Sequence, residues 1–171
     1  MSERVDGLLL MLHLTAGIAW IGPALGAWWL FLERQLWRRR RARAWDENDD
    51  WLLGAFLKVL KFEHLAFFIL MVSGIARLDS LGLGDGGALG AAAPLWLKLK
   101  IWVVMLVVMP FEAYDVWLAH WVLPARLAAR REQPEAFERA LKRHDQVVWA
   151  GSVVLGLAIP TILYCVTVRP V

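Results

Sequence analysis

The sequence predicts an all-α fold: a transmembrane four-helix bundle with the N- and C-termini on the external, periplasmic side. Three observations predict it. The 171-residue chain is 59% hydrophobic with a positive mean hydropathy, whereas a soluble domain is usually about 45–50% apolar. The apolar residues fall in four long blocks, and an α-helix needs roughly 20 such residues to cross a hydrocarbon core. Arginine and lysine gather in two stretches beside those blocks, as cytoplasmic loops do under the positive-inside rule. The reading is a single membrane domain over residues 1–171.

Composition also narrows the function classes. The net charge is +3 and the basic residues cluster in those two loops, so an anionic lipid surface is the simpler partner and nucleic acid is not expected. Eleven Trp suit membrane–water interfaces, where an amphipathic ring satisfies both phases. The single Cys165 permits no intramolecular disulfide and no cysteine-based metal motif.

The first helix is predicted over residues 7–32, and its run LLMLHLTAGIAWIGPALGAWWLFL holds one ionisable side chain, His13. The run is too long for a signal-peptide core, and MSERVDG before it has no basic stretch, so a retained helix is expected. Gly22 and Gly26 form a small-xxx-small step that allows close helix approach, and Pro23 is a site for a bend. The loop 33–50 opens with Arg34, Arg38, Arg39, Arg40, Arg41 and Arg43 and closes on DENDD. Its basic part places it in the cytoplasm and the N-terminus outside.

The second helix is predicted over 51–78, with Lys58, Lys61, Glu63 and His64 in its first half and LAFFILMVSGIA after them. The Gly- and Ala-rich stretch 79–94 reads as an external connection. The third helix is predicted over 95–123, opening with Lys98 and Lys100 and carrying Glu112, Asp115 and His120 beyond Pro110, a predicted kink. The stretch 124–143 is basic again and therefore cytoplasmic, and its PEAFERALKRHD part already belongs to the fourth helix, 135–168, which contains Pro160 and ends outside at Arg169.

A rise of about 1.5 Å per residue converts these bounds into depths. His13 and Lys100 both come out about 8–9 Å below the external ends, His64 about 21 Å, Lys61 and Glu112 about 25 Å, Lys58 and Asp115 about 30 Å, His120 and His144 about 37 Å. Charges at such depths need a partner or a wet cavity. Lys61–Glu112 and Lys58–Asp115 are therefore expected ion pairs, either structural or part of a proton or substrate route.

The four histidines carry the functional question. A lone imidazole in an apolar helix is often a hydrogen-bonded core residue, but burying one without a partner is expensive. Neutral imidazole is also a common axial ligand of haem, and bundles build such sites from inward-facing side chains. His13 and His64 have apolar surroundings and are the leading metal ligands; His120 and His144 lie nearer the headgroups beside Arg and Trp. Copper is the competing metal, less favoured because the five Met form no Met-rich motif.

LHLTAGIAWIG (residues 12–22) resembles the first helix of the HemJ-type membrane protoporphyrinogen oxidases, and also helices in CopD-like copper-resistance proteins. WLKLKIWVVMLVV (96–108) resembles the HemJ-type third helix, whose lysine falls on Lys100, and ILYCVTVRP (162–170) is similar to that family's ending. Four spans and an external N-terminus agree with it. The chain departs from the family at PALGAWWLFLER after the first-helix Trp and at His144–Asp145, where the family has asparagine–glutamate; His64 and His120 have no counterpart. The resemblance implies a haem-binding or catalytic centre at His13 and Lys100 and a multi-pass protein of the bacterial inner membrane.

The expected function is thus a b-type haem-binding membrane protein in redox chemistry or electron transfer. His13 is the leading ligand and His64 or Lys100 its partner, with His120 and His144 as a lesser second site. If the protein is an enzyme, Lys100, Glu112 and Lys61 are its candidate catalytic residues, with Lys61, Glu112, Lys58 and Asp115 managing protons, and the substrate is a tetrapyrrole or a quinone-like molecule. Partners expected are membrane lipid and a redox partner or larger membrane complex, with self-association left open. A non-catalytic accessory subunit and a CopD-like copper protein are the alternatives.

Overall fold

The computed structural model describes the backbone of residues 3–41, 47–83, 87–90 and 93–168, and the side chains of all of these except 3, 37–41, 47 and 88. Every regular element among them is helical. The long helices are α1 (Glu3–Arg41), α2 (Glu47–Ser80), α3 (Leu95–Ala128) and α4 (Pro134–Val168), with a short 3-10 turn at Gly87–Leu89 before α3. Each contains a segment long and apolar enough to cross a membrane. The all-helical reading with four helices able to span a membrane therefore holds among the described residues. The chain divides into two compact units, Met1–Leu81 and Gly82–Val171, each pairing two of the helices.

The helices overrun their sequence-based bounds. The first was expected to stop at residue 32, but α1 continues to Arg41. Its extension ERQLWRRRR contains no Gly or Pro, is rich in good helix formers, and ends in cations that complement the negative end of the helix dipole. Much of the expected basic loop is thus helix. Arg43 and Arg169 lie outside the described residues, as do the side chains at 38–41. The second helix was expected from residue 51; α2 starts at Glu47 with acidic residues in its first turn, which suit the positive helix end. Pro23 lies inside α1 without ending it.

In the first unit, α1 and α2 run antiparallel. Ala16, Trp20, Ala27, Phe31 and Arg34 are the buried positions of α1, recurring at three-, four- and seven-residue intervals along one stripe. Opposite them α2 buries Leu53, Phe56, Leu60, Glu63, His64, Phe67 and Ser73. Three contacts fix the register: Asp6 meets Arg77 and Ser80, His13 meets Leu70 and Ser73, and the Trp20 and Phe67 rings lie 5.3 Å apart. Leu8, Leu12, Ile18, Leu25 and Trp29 point outward, an apolar face suited to lipid.

In the second unit, α3 is one rod that twice widens into a π turn, at Val104–Val108 and at Leu118–Val122. Each turn sits just before a proline, Pro110 and Pro124. In both, the residue preceding the proline donates its N–H five residues back, Met109 to Val104 and Leu123 to Leu118. A proline supplies no N–H and its ring clashes with the carbonyl four residues earlier; the wider turn absorbs both defects. The expected kink at Pro110 is thus met by a π turn, and the helix expected to end at 123 runs through Pro124 to Ala128. The other hairpin arm, α4, opens at Pro134, since a proline at the first helical position loses no bond.

Candidate functional site

His13 is held by α2. Its Nδ1 lies 3.0 Å from the Leu70 carbonyl oxygen and 3.2 Å from Ser73 Oγ. A carbonyl only accepts, so Nδ1 carries the proton and donates it. Ser73 Oγ donates in turn to the same carbonyl, at 3.0 Å. The imidazole also occupies the space a side chain would fill at Gly74, where a Cβ would come within 3.0 Å of its Cε1. Orientation and tautomer are thereby set together, and the ring lone pair resides on Nε2. Metal-ligating histidines are oriented in this way, donating the other ring N–H to a carbonyl or carboxylate.

The structure places the other sequence-predicted residues as follows. His64 is buried on α2. Because His13 lies beside residues 70–74, His64 is staggered from it by six to ten residues, about 9–15 Å along the helix. Two imidazoles on one metal must bring their nitrogens within bonds of about 2 Å each, so a shared ion would require both rings to converge across that stagger. Lys58 and Lys61 are exposed on α2, whereas Glu112 and Asp115 are buried on α3; the lysines and carboxylates belong to different units. Lys100 is half-buried near the start of α3.

The second unit has its own polar cluster. His144 is fully buried, with Nε2 3.9 Å from Asp115 Oδ1 and Nδ1 3.9 Å from Asp145 Oδ1. Next to it the Arg143 guanidinium lies over the Tyr114 ring at 5.5 Å. These contacts set α3 against α4 so that residue 115 faces 144 and residue 111 faces 151. His120 then lies two to five residues, roughly 3–8 Å, from the level of His144, and packs its ring 5.8 Å from that of Trp121. Where equal depths were expected for His120 and His144, contacts along α3 set them up to about one and a half turns apart. Among the described residues, no three His, Cys, Asp or Glu side chains come together as a metal-binding group.

Two participants escaped the sequence reading, Ser73 and Gly74. The depth arithmetic was applied to charges and imidazoles alone. Applied to hydroxyls it would have set Ser73, five residues from residue 78, about 8 Å deep beside His13. Comparisons of the chain with protein-family models, with curated proteins and with solved structures find no match.

Proposed function

We propose that the protein is a b-type haem-binding membrane protein of redox chemistry or electron transfer, with His13 as an axial ligand. The observation that supports this is the hydrogen bond from His13 Nδ1 to the Leu70 carbonyl, 3.0 Å long and shared with Ser73. It leaves Nε2 as the basic nitrogen and raises its donor strength, which is what a haem iron takes from histidine. When bound, the haem would supply one-electron chemistry; the chain would set its potential through this hydrogen bond and through the apolar surroundings. The reading extends to a bacterial inner membrane location, external termini, a redox partner or larger complex, and HemJ-like tetrapyrrole oxidation as the reaction if there is one.

The test is an absorbance spectrum of protein purified in mild detergent, oxidised and then reduced, for wild type, His13→Ala, His64→Ala and Lys100→Met. Sharp Soret and α bands abolished by His13→Ala are expected, and whichever of the other two variants alters them identifies the second ligand. A wild-type spectrum without haem bands, from membranes supplied with haem during expression, would end this reading. Copper bound in its place would favour the copper-handling alternative; neither metal would favour the accessory subunit.

A further inference from the structure

The second unit carries a cavity that the haem reading does not use. It has a volume of about 360 Å³ and lies between the C-terminal part of α3 and the N-terminal part of α4, with Trp117, Leu118, Val122, Arg126, Arg139 and Arg143 on its walls. Its floor is apolar, made by Leu118 and Val122 together with alanines of α4. Its rim is cationic, with three arginines contributed by two helices.

The contacts around those arginines leave their charge largely in place. Arg126 Nη1 donates to the Gln133 side-chain oxygen at 3.1 Å, a neutral acceptor. Arg143 lies over the Tyr114 ring, also neutral. Arg139 reaches the Glu135 carboxylate at 3.5 Å, but both side chains are well exposed, and such pairs contribute little. Three guanidiniums around one concavity repel each other until an anion joins them, and a planar guanidinium fork suits a phosphate bidentately.

We propose that this cavity binds an anionic glycerophospholipid, with its phosphate among Arg126, Arg139 and Arg143 and the start of an acyl chain along Trp117, Leu118 and Val122. Two features point to a lipid rather than to a free phosphate. The floor beneath the arginines is apolar, so the occupant must carry hydrocarbon next to its charge. The cavity also lies toward the turn that joins two helices long enough to span a membrane, the level at which basic pockets between helices meet lipid headgroups. A zwitterionic headgroup would bring its own cation against the arginines and lose the advantage. The proposal stands independently of haem.

The experiment is native mass spectrometry of the full chain released from detergent micelles, titrated with dioleoyl phosphatidylglycerol, dioleoyl phosphatidylcholine or inorganic phosphate. Wild type should retain phosphatidylglycerol roughly tenfold more tightly than phosphatidylcholine, with no comparable adduct of inorganic phosphate. Arg126→Gln/Arg139→Gln/Arg143→Gln should abolish the preference. Arg130→Gln/Arg131→Gln/Lys142→Gln, which removes equal charge from the same stretch outside the cavity, should keep it. Circular dichroism checks folding of both triples; if the first triple does not fold, Trp117→Ala and the single arginine variants carry the test. Equal loss in both triples, equal retention of the two lipids, or phosphate binding as tightly as the lipid would each overturn the proposal.

Discussion

The Phe111 ring lies directly against the backbone of Gly151, so that a Cβ at residue 151 would overlap the tip of the ring. Gly151 is buried, and α3 and α4 approach here because the glycine presents no side chain. Gly151→Ala should therefore destabilise the second unit by about 1–3 kcal/mol, the usual range for overpacking. Phe111→Leu combined with Gly151→Ala should be milder than Gly151→Ala alone, as expected for two residues that share one contact. Unfolding in detergent followed by circular dichroism measures both; a neutral Gly151→Ala would mean the helices are not packed this way.

His13 uses the same device in the first unit. Gly74→Ala should shift the imidazole by a few tenths of an ångström against the Leu70 carbonyl, since the added Cβ would stand 3.0 Å from Cε1 and 3.4 Å from Nδ1. Ser73→Ala should cost about 1 kcal/mol, the usual value of one hydrogen bond, and leave the ring in position. If haem is bound, Gly74→Ala should shift the reduced α band while Ser73→Ala changes chiefly the midpoint potential. Indistinguishable spectra and stabilities for the two variants would disprove the assigned roles.

Each π turn of α3 holds one residue more than an α-helix would need. Deleting Val107 together with Pro110→Ala should thus restore regular helix while keeping Glu112 and Asp115 on their present face. Deleting Val148 from the regular part of α4 should rotate everything beyond it by about 100° and disrupt the unit. Yield of monodisperse protein and melting temperature separate the two deletions; equal damage from both would contradict the π-turn reading.

At the far end of the first hairpin, Asp6 accepts a hydrogen bond from Ser80 at 2.9 Å and lies 4.0 Å from Arg77. These side chains are partly exposed, so the ion pair is screened. Arg77→Gln should change stability by less than about 1 kcal/mol, and Asp6→Ala, which also removes the Ser80 acceptor, by somewhat more. A melting-temperature series at low and high salt checks this: only the Arg77 contribution should fade with salt.

The helical class and the number of spans were legible because block length and the scarcity of charge determine them, and neither depends on packing. The ends were less legible. Extension of α1 past residue 32 rests on helix propensity and the dipole, which a hydropathy reading does not weigh. The third helix was bounded at residue 123, before a basic stretch beginning at Pro124; the π turn lets the helix pass that proline, and nothing in LAHWVLP announces it. His13 stood out as the sole ionisable group in its block, but its hold on Leu70 involves a backbone carbonyl, which no side-chain pattern encodes. The Asp115–His144 contact was hidden because depth counted from helix ends accumulates error along each helix, whereas contacts set register locally.

The length of α1 has a consequence for what lies beyond the bilayer. Its 39 residues make a rod of about 58 Å, and a hydrocarbon core covers about 30 Å of it. Even with a moderate tilt, several turns stand clear of the acyl chains. Since Arg34 is buried and the helix continues to Arg41, that end of the hairpin is a stiff post rather than a slack tether.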